Sequence, residues 1–407
     1  MINVMKSRRL FFPGGLLVCL LLGACRGAPD ANVVNLSVDA GPANSFNVAF
    51  VTVTLCAPGS AIRCQTIDHV ALDTGSSGLR IVSSVLSPAL TLSLPAQMDP
   101  ATNSPLAECM QFADGFSWGS VKLADVKIGG ETASSLPVQI IGDPAFPTIP
   151  TACANVGAPE DTVAALGANG ILGVGYFLQD CGAGCATNAA IGLYYACPNA
   201  ATCTQTLLAT NLQVAHPVAA FATDNNGVMI KLPALPSSGA TSARGSLIFG
   251  IGTQMNNGLG LATIIDVDPT SGVFTTTSGG TLFPASVIDA GSNIYLLPTV
   301  VIDTVGITRC TGALQIGFFL CPDPPVTLST TNQGINPAIA STSLIVGDAA
   351  TLFGQTPQMT AFNNLAAENR FTAAGFDWGL PFFFGRTVFV AIEGMGTPGG
   401  AGPYVAY

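Results

Sequence analysis

Asp73 and Asp289 stand in matching surroundings. The first lies in Val70-Ala71-Leu72-Asp73-Thr74-Gly75-Ser76-Ser77-Gly78-Leu79-Arg80-Ile81-Val82, where an apolar strand runs into a carboxylate. A Thr-Gly-Ser turn follows and a second apolar strand leaves. The second acid lies in Ala285-Ser286-Val287-Ile288-Asp289-Ala290-Gly291-Ser292-Asn293-Ile294-Tyr295-Leu296-Leu297-Pro298, with the same order of parts. Gly75 and Gly291 let the backbone turn tightly beside each acid. The hydroxyls of Thr74, Ser76, Ser77 and Ser292 can donate to a carboxylate or to nearby backbone. One Asp-Thr-Gly alone is ordinary turn chemistry. Two copies 216 residues apart (289 − 73) suit two lobes that each supply one acid.

Two carboxyls held together can activate water and an amide at once. At close range both cannot ionise, so they share a proton and titrate as a pair. The ionised member takes a proton from water, and the protonated member donates to the carbonyl oxygen.

Further landmarks support a family resemblance. Asn169-Gly170-Ile171-Leu172-Gly173-Val174-Gly175 carries an apolar-apolar-glycine segment, and Gly245-Ser246-Leu247-Ile248-Phe249-Gly250 opens a second half. Trp378 to Glu393, WGLPFFFGRTVFVAIE, closes it. In this order the chain resembles the two-lobed, pepsin-like aspartic peptidases over about residues 46 to 407. It is also similar to a group of bacterial secreted lipoproteins that carry the same motifs. The resemblance implies an all-β fold of two lobes with a cleft between them. It implies Asp73 and Asp289 as the catalytic pair, with Ser76 and Ser292 bonded to their outer oxygens. Thr74, Gly75, Ala290 and Gly291 would complete the two loops.

The same resemblance exposes three departures. Ala290 stands where the family has Thr or Ser, so the brace that two threonines make across the lobes is at best half made. The flap over the cleft falls on residues 111–130, with a hairpin expected around Gly115 and Gly119. There the flap tyrosine is replaced by Phe112, and its tryptophan partner by Arg80. Pro381 falls on the glycine of the closing segment. Ordinary core packing is an equally good account of Phe112. Together the departures leave open a peptide- or ligand-binding protein on the same fold, without catalysis. A structural envelope protein, with both acids as turn residues, is a third reading.

The elements that would position these residues are short. The 46 glycines and 28 prolines suit many strands and turns, with 9% charged residues. Phe46 to Cys56 alternates apolar and polar residues, a strand before the Asp73 loop. Val218 to Leu232 reads as a strand pair around Asp224-Asn225-Asn226-Gly227. Residues 46–235 form the expected N-terminal lobe and 243–407 the C-terminal lobe. Pro233 to Ala243 is the boundary.

The first 24 residues read as a signal peptide: Lys6, Arg8 and Arg9, then a short apolar run from Leu10 to Leu22. Leu22-Gly23-Ala24-Cys25 resembles a bacterial lipoprotein box, with lipid on Cys25, and residues 25–45 then form a tether. This places the protein in the cell envelope, anchored to a membrane, the outer one by preference, through its lipid alone. An ordinary signal peptide is the rival; the run is too short to span a bilayer comfortably. Removing the signal leaves 10 basic against 23 acidic residues, a balance that argues against nucleic acid. The expected state is a monomer acting on a peptide or protein.

Ten cysteines follow Cys25, an even number that suits an oxidising compartment. Cys56 pairs locally with Cys64, and Cys310 with Cys321. Cys109 is assigned to Cys153. Cys181, Cys185, Cys197 and Cys203 pair either as neighbours or nested. No cofactor is expected. With two histidines, His69 and His216, no metal site is expected either. Asp266 to Gly272 lacks the glycine and glutamate of a calcium loop and reads as a turn. No Gly-x-Ser-x-Gly elbow supports a serine hydrolase.

Overall fold

The computed structural model describes residues 30–315, 317–355 and 358–407. The signal, Cys25 and the start of the tether therefore lie outside the described residues. Residues 31–407 form one compact unit. It is built on β-strands: one sheet of 17 strands, one of 7 and a two-stranded ribbon among the described residues. No described helix is long and apolar enough to cross a membrane.

The Asp73 strand, Cys64–Asp73, belongs to the larger sheet. The strand that leaves the turn, Ser77–Val82, is buried along its whole length. Gly170–Val174 is wedged between them. It pairs parallel to the first, with Gly173 opposite Asp73, and antiparallel to the second. Gln139–Ile141 runs parallel to Arg80–Val82 on the far side. The continuous apolar sequence follows from this placement, because a strand with neighbours on both sides and a core on both faces has no solvent side.

The smaller sheet repeats the arrangement around Asp289. Thr281–Ile288 runs into the acid and Tyr295–Leu297 leaves the turn. Asp377–Trp378 is wedged between them, parallel to the first and antiparallel to the second. Ala366–Glu368 runs parallel to the leaving strand. Trp378 holds this half together. It is fully buried and stacks on Phe376 at 5.5 Å, and its indole N–H donates to Thr276 Oγ1 at 3.2 Å. One hydrophobic core runs beneath both acids, including Leu72, Leu172, Ile288 and Trp378. The two acids thus come from different sheets on a shared core.

Several expectations need correction. Residues 33–38 of the expected tether form a strand, paired with Ala243–Phe249 and with the start of Ala49–Cys56. Val34, Leu36 and Val38 point inward, so the alternation decides the structure there. The hairpin expected within 218–232 is absent. Val218–Ala220 is a 3-10 turn, and the strand Gly227–Lys231 pairs instead with Ala243–Phe249 and Thr387–Ala391. The amide of Asn226 is committed to the Ile251 and Gly396 carbonyls, which fixes an irregular loop rather than a reverse turn. A hairpin is present there, but Gly119 is inside a strand. Ser104–Gln111 and Gly115–Ile128 pair, and the turn between them closes by the Phe112 N–H to the Gly115 carbonyl at 2.8 Å.

All five disulfides form: Cys56–Cys64, Cys109–Cys153, Cys181–Cys185, Cys197–Cys203 and Cys310–Cys321. The four cysteines between 181 and 203 pair as neighbours. Five disulfides suit a protein that matures outside the cytosol.

Candidate active site

Each acid is presented by its own turn. The Gly75 N–H donates to Asp73 Oδ1 at 2.7 Å, and the Gly291 N–H donates to Asp289 Oδ1 at 2.7 Å. Ser76 donates to Asp73 Oδ2. Ser292 Oγ lies 3.1 Å from Asp289 Oδ2. The turns touch across the interface between the two halves. A methyl group on Gly75 would lie 2.8 Å from the Asp289 carboxyl carbon, and one on Gly291 would lie 2.7 Å from Asp73 Oδ1. No side chain larger than hydrogen fits either place, which is why both turns carry glycine.

The carboxyls of Asp73 and Asp289 face each other across these two glycines. Burial pushes the Asp289 carboxyl well above the usual carboxylate range, and the charges of Asp73 and Asp377 push it further. Asp289 is the member that holds a proton. Asp73 accepts from the Gly75 N–H on one oxygen and from the Ser76 hydroxyl on the other. Asp289 is still half-buried rather than sealed, so water can reach the pair. Tyr176 lies close by. It is buried, its hydroxyl has no hydrogen-bond partner among the described residues, and burial together with Asp289 raises its pKa.

The brace between the turns is half made. Thr74 Oγ1 accepts from the Ala290 N–H at 2.8 Å and donates to the Ile288 carbonyl at 3.2 Å. Ala290 has no hydroxyl to return the contact. The third departure disappears. Gly379, not Pro381, occupies the place equivalent to Gly173. The Asp289 N–H donates to the Trp378 carbonyl at 3.2 Å, which sets Gly379 opposite Asp289. Both glycines lie against the turn after their acid: an added methyl would meet Ser76 Oγ at 2.8 Å or the Ser292 carbonyl at 2.6 Å. Pro381 sits in the following 3-10 turn, Leu380–Phe383, where its ring is buried.

A cavity of about 110 Å³ opens beside the first turn, lined by Thr74 to Ser77, Met110, Tyr176, Asp180, Ser271 and Ile288 among others. From the hairpin it is Met110 that reaches this lining; Phe112 lies in the turn beyond, half-buried. Arg80 anchors the hairpin from below. Its fully buried guanidinium donates to the Ser77 carbonyl at 2.8 Å, to Glu108 on the hairpin strand at 2.8 Å and to Asp180 at 2.9 Å. Tyr194 donates to Asp180 at 2.6 Å. Burial, then the charge of Glu108, pushes the Asp180 carboxyl well above the usual carboxylate range. Removing one member of such a cluster leaves an uncompensated buried charge, at a cost of about 3–5 kcal/mol.

The pair and turns singled out in the sequence lie together in the structure, while Asp377, Tyr176, Met110 and Asp180 are not singled out there. Tyr176 directly follows the Gly173-Val174-Gly175 segment, and Asp377 directly precedes Trp378-Gly379, so position alone could have singled them out. Asp268 caps its own turn through the Thr270 and Ser271 N–H groups at 2.9 Å, consistent with a turn.

Fold and site together define an all-β protein in which two like strand-turn-strand units bring two carboxyls face to face. The chain belongs to the DUF3443 family, described as a protein of unknown function, whose model matches residues 28–407. No curated protein matches the sequence.

Proposed function

We propose that the protein is an aspartic endopeptidase with a pepsin-like, two-lobed fold. The observation that carries this reading is the close approach of the Asp73 and Asp289 carboxyls, presented by two turns of like design. Water held between the carboxyls loses a proton to Asp73 as its oxygen attacks the peptide carbonyl carbon. Asp289 gives its proton to the carbonyl oxygen. The tetrahedral intermediate then collapses. As the C–N bond breaks, Asp73 gives its new proton to the nitrogen and Asp289 takes a proton back from a hydroxyl of the intermediate, so the pair again holds one proton. The repeated strand arrangement supports the fold, and Gly379 in the place of Gly173 strengthens it.

A non-catalytic peptide binder is the second reading. It is favoured by Phe112, which brings no hydroxyl to the hairpin tip, and by the missing hydroxyl at 290. Binding of a statine-type peptide inhibitor separates the two, since its hydroxyl takes the place of the attacking water. An active site binds it at least about 100-fold more tightly than the matching peptide without the hydroxyl. Equal affinity for the two contradicts the peptidase.

The protein works in the cell envelope, held by lipid on Cys25. Two acyl chains hold a protein firmly where one does not. Fatty-acid labelling of the full chain is lost in Cys25→Ser; labelling that persists contradicts the anchor.

A further inference from the structure

Ser292 has one hydroxyl proton and stands between two carboxyls. Its Oγ is 3.1 Å from Asp289 Oδ2 and 2.6 Å from Asp377 Oδ2. The first half is built differently: there Ser76 serves Asp73. Register explains the difference. Ile171 pairs with Ala71, two residues before Asp73, and Asp377 pairs with Val287, two residues before Asp289. The same place in the repeat therefore holds an apolar side chain in one half and a carboxyl in the other. Packing alone does not account for the exchange, because Asp377 Oδ1 is shut away from solvent with no hydrogen-bond partner among the described residues.

The groups that face Asp377 are few. The turn after Asp289 contributes Asp289 itself and Ser292, and the first half contributes the charge of Asp73. On the neighbouring strand its register partner is Leu296, and the charge of Arg386 acts on the phenol of Tyr295. Burial, with Asp73 adding, pushes the Asp377 carboxyl up to about 7 against the opposing pull of Ser292.

We infer that Asp377 is a positioning residue that works through Ser292 to keep the shared proton of the Asp73–Asp289 pair on Asp289 into the neutral range. Its value to catalysis rests on the peptidase reading; the proton linkage itself does not. A protonated Asp377 donates to Ser292 Oγ, which frees the Ser292 proton for Asp289 and favours the Asp289 anion. An ionised Asp377 takes the Ser292 proton for itself and sets a negative charge beside Asp289. Both changes then disfavour the Asp289 anion. As pH rises through the ionisation of Asp377, Asp289 tightens its hold on its proton, where an isolated pair would begin to lose it. A singly protonated pair is the working form, so the working range extends upward.

The test is a carboxyl NMR titration of the full chain labelled at aspartate Cγ, between about pH 4 and pH 9. Wild type is compared with Asp377→Asn and Asp377→Leu. In wild type the Asp289 resonance should show an inflection at the pH where Asp377 titrates. In both variants the Asp289 midpoint should fall by about one pH unit or more. A midpoint that stays in place or rises overturns the inference. So does a wild-type Asp289 trace with no inflection, and that trace decides the matter alone if the variants fail to fold. If peptides are cleaved, the alkaline limb of kcat/KM moves down with the midpoint. If none is cleaved while the linkage is present, the peptidase reading fails and this one stands.

Discussion

Thr74 grips the opposite turn at two points, while Ala290, in the mirror position, grips nothing with its side chain. The Thr74 hydroxyl accepts from the Ala290 N–H and donates to the Ile288 carbonyl. Both residues are buried, at 1% and 2% exposure, so water does not replace the missing contact. The interface between the two acid-bearing turns is therefore fastened from one side only.

Restoring the second fastening should stabilise the protein. Ala290→Thr supplies a hydroxyl that can answer the Thr74 turn, worth about 1 kcal/mol in denaturant unfolding if the bond forms. Turnover should be kept or improved, since the carboxyls are held more firmly. A loss of stability would show that position 290 lacks room for the extra atoms.

His216 gives the pH dependence of stability a defined sign. It is buried, its Nε2 has no partner among the described residues, and burial pulls its pKa down to about 4. In the unfolded chain it takes up a proton near pH 6.5, as an ordinary histidine does. Between about pH 6.5 and pH 4 the unfolded state binds more protons, so stability is complete above this window and is lost as pH falls through it. The loss from this one residue amounts to about 3 kcal/mol. In His216→Gln the unfolding free energy should fall less steeply over the same window. Parallel profiles for the two proteins would contradict this account.

The sequence reveals some parts of this molecule more readily than others, for physical reasons. The Asp73 and Asp289 turns are legible because their requirements are local: an apolar strand, an acid, and a glycine where the other turn comes within contact. Gly170–Val174 is legible because it is apolar on both sides of its glycine. Its counterpart Asp377–Trp378-Gly379 is hidden by the carboxyl in an apolar position, and an ungapped alignment slides two residues to Pro381. Val33–Val38 hides in a stretch of small and polar residues, since its partner strand is more than 200 residues away. Asn225-Asn226-Gly227 imitates a hairpin turn, and only the distant carbonyls of Ile251 and Gly396 show what Asn226 is for. Arg80 reads as a lost tryptophan until Glu108 and Asp180 are seen on either side of it.

The most direct measurement of the central claim is cleavage of an unbiased peptide library by the full chain, from acid to neutral pH, beside Asp73→Asn and Asp289→Asn. Each substitution keeps the size of the side chain and prevents the pair from sharing a proton. The account predicts cleavage by wild type, loss of cleavage by at least about 1,000-fold in either variant, and melting temperatures close to wild type. Intact peptides with folded wild-type protein at every pH, or cleavage that survives in both variants, would contradict it.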